Sequence, residues 1–146
     1  MERDLQRVVE DYAAAWSAIR DVEKLVSFFS DDGVYETLAG TMVCRGTKEL
    51  RAFFQSSKES FPDEIVQIRS VFVSGGRFAI EGTMMGTLTR PYCNFPATGK
   101  RFSVPLAVVG ELDVDNGKIK RITTYFDLAT FLRQVGLPPE TPLKQG

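Results

Sequence analysis

Residues 101–126 read RFSVPLAVVGELDVDNGKIKRITTYF. Apolar residues or glycine stand at every second position from Phe102 to Leu112, and the Asn-Gly pair of Asp115-Asn116-Gly117 suits a tight hairpin turn into the stretch that follows. Strands are therefore expected over 101–113 and 118–126. Because successive side chains of a strand point to opposite faces, Val104, Leu106, Val108, Gly110 and Leu112 share one face, while Ser103, Glu111 and Asp113 share the other. One face is buried and the other is open. Just downstream, Asp127 precedes LATFLRQV as an N-cap precedes a helix, Gly136 ends that helix, and Pro138-Pro139 prevents its resumption.

Upstream, residues 90–100 hold two prolines, an asparagine and a glycine and read as a loop crossing between strands. Before it, 65–74 and 77–89 alternate around Gly75-Gly76 as a second hairpin. Ile80, Gly82, Met84, Gly86 and Leu88 share a face there, with Glu81, Thr83 and Thr87 opposite. If these apolar faces line the concave side, their small residues are expected to leave space for an apolar ligand.

The front of the chain changes period. Leu5, Val8, Val9, Tyr12, Trp16 and Ile19 recur at helical spacing, which predicts an amphipathic helix over 3–19. Asp21 reads as the cap of a short second helix carrying Val22, Leu25, Val26 and Phe29, stopped by Ser30-Asp31-Asp32-Gly33. Short strands over 33–38 and 42–45 follow around Ala39-Gly40. Thr47 is then expected to cap a third helix that buries Leu50, Phe53 and Phe54 and ends near Phe61-Pro62. Helices first, then a meandering antiparallel sheet with one helix at its end, is an α+β layout. A chain of 146 residues is expected to form one domain over 1–146.

Composition narrows the chemistry. The sequence contains no histidine, which excludes Ser-His-Asp, Cys-His and His-metal sites and leaves Asp, Glu, Tyr, Cys or Lys for proton transfer. No metal or cofactor is expected. Cys44 and Cys93 lack metal-type spacing and imply no disulfide framework, so a reducing, cytoplasmic setting is the simpler expectation. A net charge of −1 with no basic stripe argues against nucleic acid as a partner. No apolar run approaches the roughly 20 residues of a membrane helix, and MERDLQRVVEDY is charged from its second residue, so neither a span nor a signal peptide is expected.

FFSDDGVYETLAG (28–40) followed by RGTKELRAFF (45–54), and above all PATGKR, GKI, YFD and LRQ-GL within 96–139, carry a resemblance. The chain resembles the SnoaL-like polyketide cyclase branch of the nuclear transport factor 2-like superfamily, which includes ketosteroid isomerases and limonene-type epoxide hydrolases. The resemblance implies a cone-shaped fold in which a curved antiparallel sheet and N-terminal helices enclose a pocket, and it implies a homodimer. Members include cyclases, isomerases, hydrolases and proteins without known substrate, so the fold does not select a reaction. The positions matching the relatives' acid/base aspartates are Thr37 and Thr124 here, the cyclase histidine falls at about Gly110, and the hydrolase arginine and aspartate fall near Gly82 and Met84. Tyr35 matches a water-holding tyrosine of the hydrolases.

The expected site therefore has Tyr35 and Thr124 as its catalytic candidates, with Tyr12, Trp16, Thr37, Met84, Val108, Gly110 and Phe126 against the ligand. Tyr12 and Trp16 serve equally as core. Asp127 reads as a cap before it reads as an acid, and Glu111 with Asp113 reads as a solvated or subunit-contact face before a carboxylate pair. Tyr92 and Cys93 could gate the pocket, but nothing beside Cys93 lowers its pKa. The expected function is binding of a small hydrophobic, cyclic or polyketide-like molecule, with cyclase or isomerase activity. The alternative is a non-catalytic ligand-sensing or dimerising module. Whether an ionisable side chain reaches the pocket separates the two.

Overall fold

Three aspartates open three of the helices. Asp4, Asp21 and Asp127 each accept a hydrogen bond from the backbone N–H three residues on, at 3.0, 3.1 and 3.0 Å. They start α1 (Leu5–Trp16), α2 (Val22–Ser27) and α4 (Leu128–Val135). Each such cap satisfies a donor that the helix cannot, worth about 1 kcal/mol. The computed structural model describes residues 4–37, 42–93 and 95–139; the expected Ala39-Gly40 turn lies outside them. Among the described residues no helix is long and apolar enough to cross a membrane.

The first helix ends at Trp16 rather than 19 and the strand expected over 77–89 ends at Thr87, and two further boundaries differ in kind from the sequence reading. Ser30 to Gly33 do not separate helix from strand but belong to β1 (Phe29–Thr37), which shifts register between Phe29 and Val34. Gly33 sits over Phe29, where a Cβ would lie 3.0 Å from that side chain, so the irregularity needs a residue without one. The other boundary is the third helix, α3 (Gly46–Ser60), which follows β2 (Met42–Arg45) without a spacer. Gly46, at φ +81°, turns the chain directly into the helix, leaving Thr47 inside it. Glu49 instead accepts from the backbone N–H of Arg45 at 2.9 Å.

The remaining strands are β3 (Ile65–Ser74), β4 (Arg77–Thr87), β5 (Arg101–Asp113) and β6 (Lys118–Phe126). They form one sheet in the order β2-β1-β6-β5-β4-β3. Every pairing is antiparallel except that of β1 with β6, which is parallel and brings Tyr35 beside Ile122. The β5–β6 turn is held by Asp113, whose carboxylate accepts from the backbone of Asp115 and Asn116.

Strand alternation holds as expected: Val104, Leu106, Val108 and Leu112 are buried on the inner face with Ile80. The glycines on that face do not leave ligand space, however. A Cβ on Gly110 would lie 2.1 Å from Cζ of Phe78, its cross-strand partner, so the Phe78 ring fills that volume. A Cβ on Gly82 would lie 2.4 Å from the carbonyl oxygen of Gln67, beside the bulge in β3.

Two apolar clusters fill the concave side. One gathers Val9, Tyr12 and Trp16 of α1 and Leu50, Phe53 and Phe54 of α3 against the sheet. The other packs Phe131, Leu132 and Val135 of α4 against Phe102, Val104 and Phe95, the last a fully buried residue from the crossing segment. Met84, Tyr92 and Phe126 are partly buried and touch both clusters. The seam between them is where packing is incomplete.

Candidate functional site

A narrow cavity occupies that seam. Trp16 closes it from α1, Phe53, Phe54 and Ser57 from α3, and Met84, Thr124 and Phe126 from the sheet. Tyr35 and Thr37, on the inner face of β1, form its floor with Thr124. Ile19, Phe61, Glu64 and Tyr92 come from connecting segments. The space open to the centre of a water molecule is about 30 Å³, room for one or two waters as it stands. A larger ligand must turn the half-buried Met84, Tyr92 and Phe126.

Tyr35 and Thr124 meet across the parallel strand pair. Thr124 Oγ1 donates to the phenolic oxygen of Tyr35 at 2.9 Å, and both residues are buried. The Tyr35 ring packs on Phe53 and Phe54 with centroids 4.8 and 5.5 Å away. Burial pushes its phenol far above the ordinary range, outweighing the Thr124 hydrogen bond that acts in the opposite sense. Tyr35 is thus a hydrogen-bond donor rather than a base. With its oxygen accepting from Thr124, its own O–H is left to serve the cavity.

Glu64 is the carboxylic acid among the described residues that line the cavity. The turn Phe61-Pro62-Asp63-Glu64 is closed by the Glu64 N–H donating to the Phe61 carbonyl at 3.0 Å, with proline at its second position. Its two carboxylates go separate ways. Asp63 accepts from the backbone N–H and the hydroxyl of Thr87, at 2.9 and 2.7 Å. Glu64 lines the cavity, and no described residue donates a hydrogen bond or makes an ion pair to its carboxyl. Gly86 permits this approach, because a Cβ there would lie 3.3 Å from the Glu64 Cα. Loss of water around the carboxyl, with the neighbouring Asp63 charge second, pushes it up to about 8. Ile19, Phe61 and Glu64 also line an open surface groove, so the wall they form is thin.

Among the expected site residues, Tyr35, Thr124, Trp16, Thr37, Met84 and Phe126 come together at the cavity, and three do not. Tyr12 is turned into the core, stacked on Trp16 with centroids 6.3 Å apart and edge-on to Phe28 and Phe29. Val108 is core, and Gly110 lies beneath Phe78. The sequence reading did not place Ile19, Phe53, Phe54, Ser57 or Phe61 at the cavity. It also missed Glu64, although a signal existed: Glu64 has the parity of Val66 and Ile68, the inner face of β3. Tyr92, expected as a gate, lines the cavity. Asp127 caps α4, and Glu111 and Asp113 lie on the outer strand face. Burial raises the thiols of Cys44 and Cys93 to about 11, against nucleophilic use at neutral pH.

The sequence profile of the SnoaL-like polyketide cyclase family matches residues 6–135. No curated protein matches the chain. Among solved structures, the SnoaL-like protein from Jannaschia sp. CCS1 is similar with a TM-score of 0.81 at 18% identity, over 94% of this chain and 95% of that one. A hypothetical protein with a ketosteroid isomerase-like fold from Catenulispora acidiphila, in complex with trimethylamine, gives 0.75 at 23% identity over 92% and 97%. A phenazine biosynthesis-related protein from Pseudomonas aeruginosa gives 0.74 at 23% identity over 92% and 89%. At these identities the structures share the fold.

Proposed function

This chain belongs to the SnoaL-like polyketide cyclase family, and on that premise we propose that it binds a small hydrophobic, ring-bearing molecule of polyketide type and acts on it as a cyclase or isomerase. One observation carries the reading: polar groups converge inside an aromatic enclosure, with the Tyr35–Thr124 pair on its floor and the Glu64 carboxyl on its wall. A few placed polar groups in apolar walls are what orient a small ligand, and an ionisable group within reach is what an acid/base enzyme requires. Tyr35 and Thr124 orient the ligand oxygen, while Trp16, Thr37, Met84 and Phe126 contact its rings.

A thermal-shift panel of cyclopentanone, cyclohexanone and 2-tetralone tests this. Binding to the folded state alone should raise the Tm in proportion to occupancy, and Trp16→Ala should reduce the rise. A flat response across the panel, with native mass spectrometry also showing no complex, would count against a ligand-binding cavity. It would favour the non-catalytic, dimerising reading instead.

We also propose that two copies pair through the outer sheet face, in a reducing cytoplasm that suits the free Cys44 and Cys93. Phe72 and Tyr125 are 59% and 55% exposed there. The paired positions Phe72, Ala79, Val109 and Thr123 continue a mostly apolar row across β3, β4, β5 and β6. Such a face on one copy is suited to cover the same face on another.

A further inference from the structure

We propose that Glu64 is the proton-transfer residue of this cavity, and that its substrate is a small enolisable carbonyl compound whose oxygen is held by Tyr35. This deepens the ligand-binding reading above and rests on it.

Three observations carry the assignment. First, the backbone is arranged to place a carboxyl here. The turn at 61–64, the bare Cα of Gly86 and the inward parity of Glu64 act together, while the adjacent Asp63 is held away by Thr87. Second, the half-buried carboxyl lacks the partners that a structural acid normally has. No described residue donates to it, and no lysine or arginine among the described residues lines the cavity. It is half-buried between the cavity and the outer groove, and no structural partner fixes it there. Third, it stands in working relation to the phenols. Tyr35 and Tyr92 line the same cavity as its carboxyl.

The other polar groups select the substrate. Tyr35, Thr37, Ser57, Tyr92 and Thr124 offer neutral hydroxyls, and Tyr35 has its own O–H to give because it accepts from Thr124. A donor facing apolar walls fits an acceptor oxygen on an otherwise apolar molecule, which is a carbonyl. The ionised Glu64 carboxylate removes a proton from the carbon beside that carbonyl. The C–H electron pair becomes the new C=C bond as the carbonyl π pair moves onto oxygen, and the Tyr35 hydroxyl holds the developing oxyanion. The protonated Glu64 then returns a proton to the same carbon or to a conjugated one, so nothing is oxidised or reduced. Burial first, and the Asp63 charge second, bring the carboxyl up to about 8, where acid and base forms coexist near neutrality.

Exchange of α-hydrogen for deuterium tests the step without knowledge of the natural substrate. The full-length protein is incubated in D2O with cyclopentanone, cyclohexanone or 2-tetralone, and loss of the α-proton signal is followed by NMR, with the Tm shift of each ketone measured in parallel. For ketones that bind, the protein should accelerate exchange, with a rate that rises through about pH 8 as Glu64 ionises. Glu64→Gln should lose ~100-fold or more of that acceleration while keeping the ketone-induced Tm shift. Glu64→Ala should regain part of it on addition of formate. Tyr35→Phe should lose about tenfold. Ketones that bind without accelerated exchange, or Glu64→Gln within twofold of the parent, would overturn the assignment and leave ligand binding intact. Ketones that neither bind nor exchange would remove both.

Discussion

Tyr12 and Glu64 each carry a polar group into apolar surroundings, and the consequences of removing that group differ. The Tyr12 hydroxyl is buried with no hydrogen-bond partner among the described residues, between Trp16, Phe28 and Phe29. Its ring supplies core contact and its oxygen supplies only desolvation. Tyr12→Phe should therefore stabilise the fold by about 1 kcal/mol, read as a higher urea midpoint, and a lower midpoint would mean the hydroxyl is paired in solution. Glu64 is held protonated by the fold at pH values where the unfolded chain is ionised, its pKa raised from 4.5 to about 8. The folded state thus binds the extra proton, so its contribution to stability is greatest below pH 4.5, declines as the pH climbs to 8, and is level above. Glu64→Gln should remove that slope and exceed the parent in stability at pH 9, by on the order of 2 kcal/mol once partial exposure is allowed for. Urea denaturation of both proteins at pH 5 and pH 9 provides the comparison. Equal slopes would place the Glu64 carboxyl in water. The parity of Glu64 was legible in the sequence, but its lack of a partner was not, because that depends on what α1, α3 and the crossing segment bring beside it.

At the scale of elements, β4 and β5 show where strand periodicity informs and where it stops. Alternation assigned Ile80, Val104 and Val108 to the buried face, and they lie there. The same alternation made Gly110 look like empty space for a ligand, whereas the ring of Phe78 from the neighbouring strand covers it. A missing Cβ on a sheet is filled by whichever large neighbour stands in register, and register is a tertiary fact. Gly110→Val should accordingly cost about 2–3 kcal/mol through overpacking. Adding Phe78→Ala should recover part of that loss in a double-mutant cycle, read from denaturation midpoints; additive losses would contradict the contact. The capped helices contrast with this, since Asp21 and Asp127 bond within their own first turns and needed nothing distant. Thr47 failed as a cap because Gly46, one residue earlier, makes the turn by itself.

For the whole molecule, the outer sheet face and the inner seam have different origins. Phe72, Ala79 and Val109 stand in register across three strands on the outer face. If two copies cover that face, light scattering should give twice the 16.3 kDa chain mass, and Phe72→Asp should shift the population to monomer by burying a charge at the contact. A monomeric parent at micromolar concentration would rule the pairing out. The inner seam is not a property of any strand or helix but the gap left where two apolar clusters fail to merge, bridged by Met84, Tyr92 and Phe126. The sequence by itself determined the elements, their buried faces and the α+β order, since caps, turns and alternation act between residues close along the chain. The tertiary structure alone decided that β1 runs parallel to β6, joining Tyr35 to Thr124, and that Glu64 enters the cavity while Tyr12 does not. Periodicity states which side of an element a residue faces. Whether that side meets a neighbour or an empty space depends on packing among residues far apart in sequence.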